Sequence, residues 1–517
     1  MKKSQGITTI TLIVTIVVML ILASVTITVI VNGGLFNTAS KVVDEMENVM
    51  GFQQNFIKNK INKDNNLTND TTNDITNDDI VDSDDTIEGV DVNPPLLQTG
   101  MTPVKFDETN QCWMVTTQSD EQWYDYANKK WANIMLQDGL EYDNNGKVTK
   151  QGSMFVWIPR FAYKITETKS IQIKFLKNNT NDFYEGTGEG YIVHPSFTNN
   201  IVAGGWDKEL TGFWVAKYEA GFQANTTDST DATKVINSTD TINYSSINYS
   251  VSSSDKNAIG QTISEKPLLS YPVFKPLTYS YNNISINDCY AISSEISNGA
   301  DFYGLSSTTI NSHLMKNSEW GAVAYLSYSS YGRNGQELTS NSKNLNNLNS
   351  KEIYAITGYA GDTANGITAS TTGNMTGVFD LSGGVEEYVA GYLTNGNGNL
   401  KKNGALFVYS TKNASAYLTE STKTATAYPY NESGESSANN IIAYGNLKSN
   451  TYGFGDAITE TTGWNGDTAT YPGSGKTFFV RGGNYGSGTN AGIFAFDSKE
   501  GAALETIGFR AVLINNQ

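Results

Sequence analysis

Residues 480–485 read VRGGNY, and residues 508–510 read GFR. The chain contains only four arginines, and Arg481 and Arg510 stand inside these two segments, whereas lysine supplies nearly every other basic side chain. A guanidinium is a planar fork of hydrogen-bond donors, so its use here indicates fixed hydrogen-bond geometry. The Gly482-Gly483 pair supplies backbone angles that residues with a Cβ resist. These features predict a loop-rich fold with both arginines in specific bonds.

Four further segments precede these two in the chain: residues 155–159 (FVWIP), 212–219 (GFWVAKYE), 314–320 (LMKNSEW) and 380–388 (DLSGGVEEY). In order and spacing the set resembles the formylglycine-generating enzyme (sulfatase-modifying factor) family, with its "F-x-h-x-K-x-E-V-T" (h, hydrophobic), "L-P-T-E-A-E-W", "D-M-S-G-N-V-W-E-W" and "R-G-G-S-W … G-F-R" motifs. The resemblance implies a variant of the C-type lectin fold. We therefore expect the α+β class, with a loop-rich C-type lectin-like domain over residues 152–517.

The composition excludes several classes of protein. The 517 residues carry a formal net charge of −17, which repels phosphate backbones and argues against nucleic acid as a partner. Two cysteines exclude a disulfide-rich scaffold, and only His194 and His313 are present, too few for a His/Cys zinc cluster. No Ser-His-Asp or Cys-His site is marked either, so both histidines are expected to be structural.

The N-terminus predicts a membrane anchor. Residues 7–31 contain no charged side chain, a length that suits a transmembrane helix, and two lysines before them put the N-terminus in the cytoplasm. A basic stub, Gly6 and an apolar helix resemble the type IV prepilin N-terminus, which implies processing by a prepilin peptidase between Gly6 and Ile7. Ile7 and Thr11 stand where that family has Phe and the Glu used in assembly with other pilin subunits. Processing is therefore expected, polymerisation into a surface filament stays open, and a plain signal anchor is the alternative.

Three segments separate this anchor from the C-terminal domain. Helical spacing of apolar residues extends the anchor into a stalk, giving a transmembrane and stalk helix over residues 1–62. Residues 63–98 are expected to form a disordered linker, because their acidic composition offers little apolar surface to bury. Residues 99–151 hold three tryptophans and an Asn-Asn-Gly turn signal at 144–146, which predicts a small β-rich unit with a tryptophan core, or hairpins that lead into the next domain.

The family's metal sites are only partly present. Its oxidases bind copper through two cysteines, and the matching positions here are Ser487 and Gly492. Because Cu(I) needs thiolates, no oxidase activity is expected. The family's calcium site lies in the "S-G-N-V-W-E" segment, where this chain keeps Glu387, has Glu386 for tryptophan and Gly384 for asparagine. Glu386 and Glu387 are thus candidate calcium ligands, and two solvated acids on a turn are the alternative.

The stretch between the two arginine segments is the candidate binding surface. In the lectin-like fold it lies on one exposed face, an organisation also used by the variable proteins of diversity-generating retroelements. Aromatic side chains among short polar ones suit adaptable recognition. The candidate ligand-binding residues are Asn484, Tyr485, Ser487, Asn490, Phe494, Phe496, Ser498 and Lys499. Core packing is the alternative for this stretch, since Phe494 and Phe496 alternate as residues of a core strand would.

Three hypotheses for the function follow. The favoured one is a single-pass protein of the cell membrane, pilin-like at its N-terminus, whose extracellular, non-catalytic C-type lectin-like domain binds a protein or glycan or mediates adhesion. The second is a minor pilin or pseudopilin that is a structural subunit of a filament or secretion system. The third is a hydrolase that uses an unmarked pair of carboxylates.

Overall fold

The computed structural model describes residues 90–221, 271–276, 278, 280–282, 284–342, 357–358, 366–394, 397–404, 421–428 and 454–516. All of them belong to one compact unit, Thr86–Gln517. The predicted anchor and stalk, the processing site at Gly6 and Ile7, and the linker up to residue 89 lie outside the described residues. The end of the predicted linker, residues 90–98, is not disordered, because Asn93 is buried and its carbonyl accepts a hydrogen bond from Trp157 Nε1. Among those described, no helix has the length and apolar character needed to cross a bilayer.

The structure is mixed α+β, with many short strands and few helices. The strands are β1 (Thr102–Asp107), β2 (Cys112–Val115), β3 (Asn133–Met135), β4 (Glu141–Tyr142), β5 (Val148–Lys150), β6 (Met154–Pro159), β7 (Phe161–Ile165), β8 (Ile171–Phe175), β9 (Ile192–Val193), β10 (Gly212–Ala216), β11 (Ile310–Leu314), β12 (Glu386–Leu393), β13 (Thr426–Tyr428), β14 (Phe478–Arg481), β15 (Phe496–Lys499), β16 (Ile507–Phe509) and β17 (Ala511–Asn515). The helices are α1 (Ile286–Glu295), α2 (Ala300–Tyr303), α3 (Asn317–Tyr328) and α4 (Asn397–Asn403).

A seven-stranded antiparallel sheet forms the first layer, in the order β11-β17-β10-β6-β3-β1-β2. Its central strands β6 and β10 read MFVWIP and GFWVA, and every residue in them is buried. A short apolar run without alternation is typical of a strand covered on both faces. The Trp157 and Trp214 indoles, opposite each other in the register, pack in this core.

A five-stranded sheet carries the surface of interest. Its central strand β12 is antiparallel to β14 and parallel to β13 and β16, and β15 forms the edge beside β14. Glu387 of β12 pairs in register with Arg481 of β14 and with Gly508 of β16. The segments 380–388, 480–485 and 508–510, which are far apart in sequence, therefore lie side by side.

The segment expected to form a small β-rich unit or lead-in hairpins extends the first sheet. Strands β1, β2 and β3 continue it beyond β6, because β3 pairs with both β6 and β1. The predicted turn is confirmed as the hairpin of β4 and β5, with Gly146 at φ +79°. Trp113, Trp123 and Trp131 are buried, so the expectation that they are core residues is confirmed.

The helices α1 and α3 begin with different caps. In α1 the Ser285 hydroxyl accepts a hydrogen bond from the Asp288 N–H, and Cys289 is buried. In α3 the capping position is Lys316. The Lys316 N–H donates to Glu319, and the Lys316 ammonium donates to the carbonyls of Gly205 and Lys423. The helix is buried on nearly every side, so its sequence shows no clear polar face.

Candidate ligand-binding site

Two glycine pairs place the ends of β12 and β14 next to each other. Gly383 and Gly384 precede β12 with φ of +77° and +68°, and Gly482 and Gly483 follow β14 with φ of +84° and +69°. These left-handed backbone angles favour glycine. A Cβ at residue 384 would also overlap the Glu219 carboxylate. The Tyr485 N–H donates to the Gly384 carbonyl, which joins the two turns.

A pocket of about 180 Å³ opens beside these turns. Its lining residues are Glu386, Thr468, Val480, Gly483, Ser487, Ala495, Phe496 and Asp497. Tyr388 and Asp497 both pair with Val480 in the register, and side chains two residues apart on a strand share a face. Glu386 of β12 and Asp497 of β15 therefore project from the same face of the sheet, on either side of β14.

Lys499 connects the two carboxylates of the pocket. Its Nζ lies 3.0 Å from Glu386 Oε2 and 2.8 Å from Asp497 Oδ2. Burial opposes the charge of the ammonium, but the hydrogen bond to Asp497 and the charge of Glu386 outweigh burial and raise the pKa of Lys499. Burial likewise disfavours the Asp497 carboxylate, but hydrogen bonds from Lys499 and from the Ser498 N–H lower the pKa of Asp497. Both groups are therefore charged at neutral pH.

The loop after β14 completes the wall of the pocket. Asn484 Nδ2 donates to Glu386 Oε1 at 3.0 Å, and Asn484 Oδ1 accepts from the Gly486 N–H. The Ser487 hydroxyl accepts from the Asn484 N–H at 3.0 Å. These bonds fix the loop against β12 while Ser487 still lines the pocket.

The loop rests on buried side chains. The Arg481 guanidinium donates to the carbonyls of Asp456, Ala457 and Ala495, and Trp320 Nε1 donates to the Ile493 carbonyl at 2.7 Å. The sequence predicted fixed hydrogen bonds for both motif arginines, and the structure shows them. The pocket is therefore built on a well-connected scaffold, as binding loops commonly are.

The structure brings only some of the predicted ligand-binding residues to the pocket. Ser487 and Phe496 line it, and Asn484 and Lys499 hold its carboxylates. The Phe496 ring itself is buried against Tyr471. Tyr485 is half-buried beside the turn, and Asn490 is exposed, with its carbonyl accepting from the Thr468 N–H.

Phe494 and Ser498 are core residues rather than surface residues. Phe494 packs against Tyr328 and Trp464, with ring centroids 5.1 and 5.4 Å away. Ser498 is buried because it alternates along β15 with Asp497 and Lys499, which face the pocket. The alternative of core packing is thus correct for these two positions.

The pocket also contains residues that no sequence motif indicated. Thr468 comes from the loop before β14 and is held by backbone bonds to Asn490 and Phe496. Asp497 stood in the candidate stretch without being assigned a role. A strand alternation starting at Phe496 would have identified Asp497 and Lys499 as a pair, but nothing in the sequence indicated Thr468.

The structure does not bring Glu386 and Glu387 together as ligands of one calcium ion. Consecutive residues of a strand face opposite sides, so only Glu386 faces the pocket. Glu387 forms a buried ion pair with Arg510, with 2.6 Å between Oε1 and Nη2 and 3.0 Å between Oε2 and Nε. In the described part of the chain no group of three or more His, Cys, Asp or Glu side chains is arranged for a metal ion.

The positions of the family's copper cysteines do not fit that metal. Ser487 has a hydroxyl where a soft thiolate is required. Any side chain at Gly492 would overlap the Asp467 carboxylate, which accepts a hydrogen bond from the Phe494 N–H. The two cysteines are Cys112 on β2 and Cys289 inside α1, and burial raises the pKa of the Cys289 thiol well above its ordinary value.

Both histidines have structural surroundings. His194 is fully buried against Phe161, Tyr163 and Tyr325, and its burial lowers the pKa to about 3. His313 Nε2 lies 2.9 Å from Glu319 Oε1, and its ring packs on Trp206. Neither residue is among those that line the pocket.

A buried acidic cluster lies on the other side of β12. Glu219 accepts from the Val385 N–H at 3.1 Å, Asp380 accepts from the Gly358 N–H at 2.7 Å, and Glu387 pairs with Arg510. Burial, together with the charges of Asp380 and Glu387, raises the pKa of Glu219 well above its usual value. Burial also raises the pKa of Asp380 to about 6, although Arg510 acts in the opposite direction. Glu219 and Asp380 thus lie near the Glu387–Arg510 ion pair, and burial favours the protonated form of Glu219.

Comparisons with known proteins add little to this description. No protein-family model matches the chain, and no similar sequence is found among curated proteins. One similar solved structure is Treponema denticola variable protein 1, with 11% sequence identity and a TM-score of 0.24, covering 74% of this chain and 98% of that one. A similarity of this degree does not assign the chain to a family.

Proposed function

We propose that this chain is a membrane-anchored, pilin-like cell-surface protein whose C-terminal C-type lectin-like domain binds a ligand without catalysing a reaction. The observation that carries the proposal is the polar pocket between β12, β15 and the loop after β14. It lies on the stretch for which the sequence predicts binding. The apolar segment 7–31 and the acidic linker support display of this domain away from a membrane.

The charges of the pocket favour binding over catalysis. A general acid or base works best when its pKa lies near the working pH. The pKa of Asp497 is lowered and that of Lys499 is raised, so both shifts lead away from neutrality. Glu386 is held by Asn484 and Lys499. These groups are suited to fixed polar contacts with a ligand.

The rigidity of the surroundings supports the same function. Arg481 and Trp320 hold the backbone on both sides of the pocket through buried hydrogen bonds. The groups on the pocket face are partly exposed, with 28% of the Asp497 side chain and 21% of the Lys499 side chain accessible. A scaffold that is ordered before binding reduces the entropy cost of capturing a ligand.

Adhesion of cells that display the full-length protein tests this function. We expect such cells to adhere to one or more surfaces coated with extracellular matrix proteins or glycans at least about tenfold above cells without the protein. Because the pocket makes the contact, the double variant Glu386→Ala/Asp497→Ala, which removes both carboxylates of the pocket, should lower adhesion to background. Retained cells are counted after washing, and surface display is quantified with an antibody.

The matched control is Lys476→Ala, which removes an exposed lysine outside the pocket and should leave adhesion unchanged. Full adhesion by the pocket variant would contradict the proposed site. Formation of formylglycine in a cysteine-containing sulfatase peptide, incubated with the full-length protein and copper, would contradict the non-catalytic function.

A further inference from the structure

The chemistry of the pocket also indicates what kind of group it receives. We propose that the pocket binds a basic side chain of a partner protein, an arginine guanidinium or a lysine ammonium, between Glu386 and Asp497. This inference rests on the proposed binding function and adds the chemical class of the ligand. Lys499 of the chain itself occupies the place of that group in the unbound protein.

The first argument is the charge of the lining. Glu386 and Asp497 contribute two carboxylates, while Thr468 and Ser487 add uncharged hydroxyl groups. Only 9% of the Glu386 side chain is exposed, so its charge is shielded little by solvent. A carboxylate pair on one sheet face binds a cation more strongly than a neutral group, because the cation offsets both charges.

The second argument is the geometry of Lys499. Its ammonium bridges the two carboxylates at 3.0 and 2.8 Å, which shows that a basic group fits this position. Glu386 Oε2 is buried and lies 3.0 Å from this ammonium, but it does not accept a well-aligned hydrogen bond. A guanidinium carries five donors in a planar fork and can bond to both carboxylates more completely.

The third argument is size and long-range attraction. At about 180 Å³ the pocket is smaller than the ~300–1,000 Å³ of sites for drug-sized molecules, so it suits the end of one side chain. The formal net charge of −17 attracts positively charged partners from a distance. A basic residue on a partner's surface satisfies both conditions.

Capped amino acids test the inference directly. The full-length protein in lipid nanodiscs is titrated with N-acetyl-arginine amide and with N-acetyl-citrulline amide, which has nearly the same shape without the charge. Binding is followed by isothermal titration calorimetry. We expect the arginine probe to bind at least about tenfold more tightly than the citrulline probe.

Variants separate the roles of the three charged residues. Lys499→Met removes the internal competitor and should increase the affinity for the arginine probe about tenfold. Asp497→Asn should reduce it by a similar factor, and Lys476→Met, outside the pocket, should leave it unchanged. The melting temperature of each variant shows whether its fold is intact.

Equal affinities for the arginine and citrulline probes would overturn the inference, as would a Lys499→Met variant that binds the arginine probe more weakly while keeping its melting temperature. If the arginine probe fails but pocket-dependent adhesion persists, the proposed function stands and only the chemical class is wrong. If adhesion does not depend on the pocket either, the proposed function falls as well.

Discussion

Replacing Arg510 by methionine is expected to lower the free energy of unfolding by about 3–5 kcal/mol, the usual cost of removing one partner of a buried ion pair. The Arg510 guanidinium is fully buried and donates to both carboxylate oxygens of Glu387 and to the carbonyls of Ala216 and Phe379. Methionine removes the donor from these acceptors and leaves the buried Glu387 carboxyl group without the cation that offsets its desolvation.

Tryptophan fluorescence during urea titration measures this effect in the full-length protein. All eight tryptophans lie between residues 113 and 464, so the signal reports the C-terminal unit alone. The matched control is Arg333→Met, because Arg333 is half-buried and makes no ion pair among the described residues. It should change the free energy of unfolding by less than about 1 kcal/mol.

A double variant separates the ion pair from the packing. Arg510→Met/Glu387→Met replaces both charges with apolar groups, and such replacements of buried pairs are often close to neutral. We expect it to be more stable than the single variant, with a residual loss because the two carbonyls still lack a donor. A single variant as stable as the wild-type protein would show that Arg510 does not hold these segments together.

The same arginine shows what the sequence predicted well. Arg481 and Arg510 were expected to make fixed hydrogen bonds because arginine is rare in this chain, and both are buried with several acceptors. Gly482 and Gly483 were expected at special backbone angles and have positive φ. Signals of this kind are local, since one residue type in one short segment carries them.

What the sequence did not predict depends on pairing between distant segments. Strands β1 to β3 look like a separate unit in the sequence, and only the pairing of β3 with β6 places them in the main sheet. Phe494 and Asp497 stand three residues apart in the same candidate stretch, yet one is in the core and the other lines the pocket. Phe494 lies in the turn before β15 and packs against Tyr328 and Trp464, which are distant in sequence. Asp497 reaches the pocket through the register of β15 against β14, which is also a long-range feature.

The buried acids make a prediction about pH. Glu219 is fully buried beside Asp380 and Glu387, Arg510 is the cation that pairs with this cluster among the described residues, and the pKa of Glu219 is raised well above the ordinary value. A carboxyl group with a raised pKa keeps its proton in the folded state but loses it in the unfolded state above about pH 4.3. Its contribution to stability is therefore full below that pH and is lost as the pH rises toward the folded pKa.

We expect Glu219→Gln to remove the decrease in folding stability that Glu219 causes as the pH rises. Glutamine is uncharged at every pH, and its carbonyl can still accept from the Val385 N–H. The variant and the wild-type protein should be about equally stable at pH 4, and the stability of the variant relative to the wild type should increase from pH 4 to pH 7, because folded Glu219 resists the ionisation that the unfolded chain undergoes. Urea titrations at several pH values, followed by tryptophan fluorescence, measure the difference.

The free energy of unfolding of the wild type is subtracted from that of the variant at each pH. The contributions of the other groups that titrate on folding cancel in this difference. His194, with its pKa lowered to about 3, destabilises the folded state below about pH 6.5, and this contribution is the same in both proteins. The control is Glu121→Gln at an exposed position, for which the difference should stay near zero at every pH. A Glu219→Gln difference that does not grow between pH 4 and 7 would mean that folded Glu219 is ionised. In the described part of the chain, the carboxylates of Glu219, Asp380 and Glu387 would then lie near the single guanidinium of Arg510, which leaves buried negative charge uncompensated.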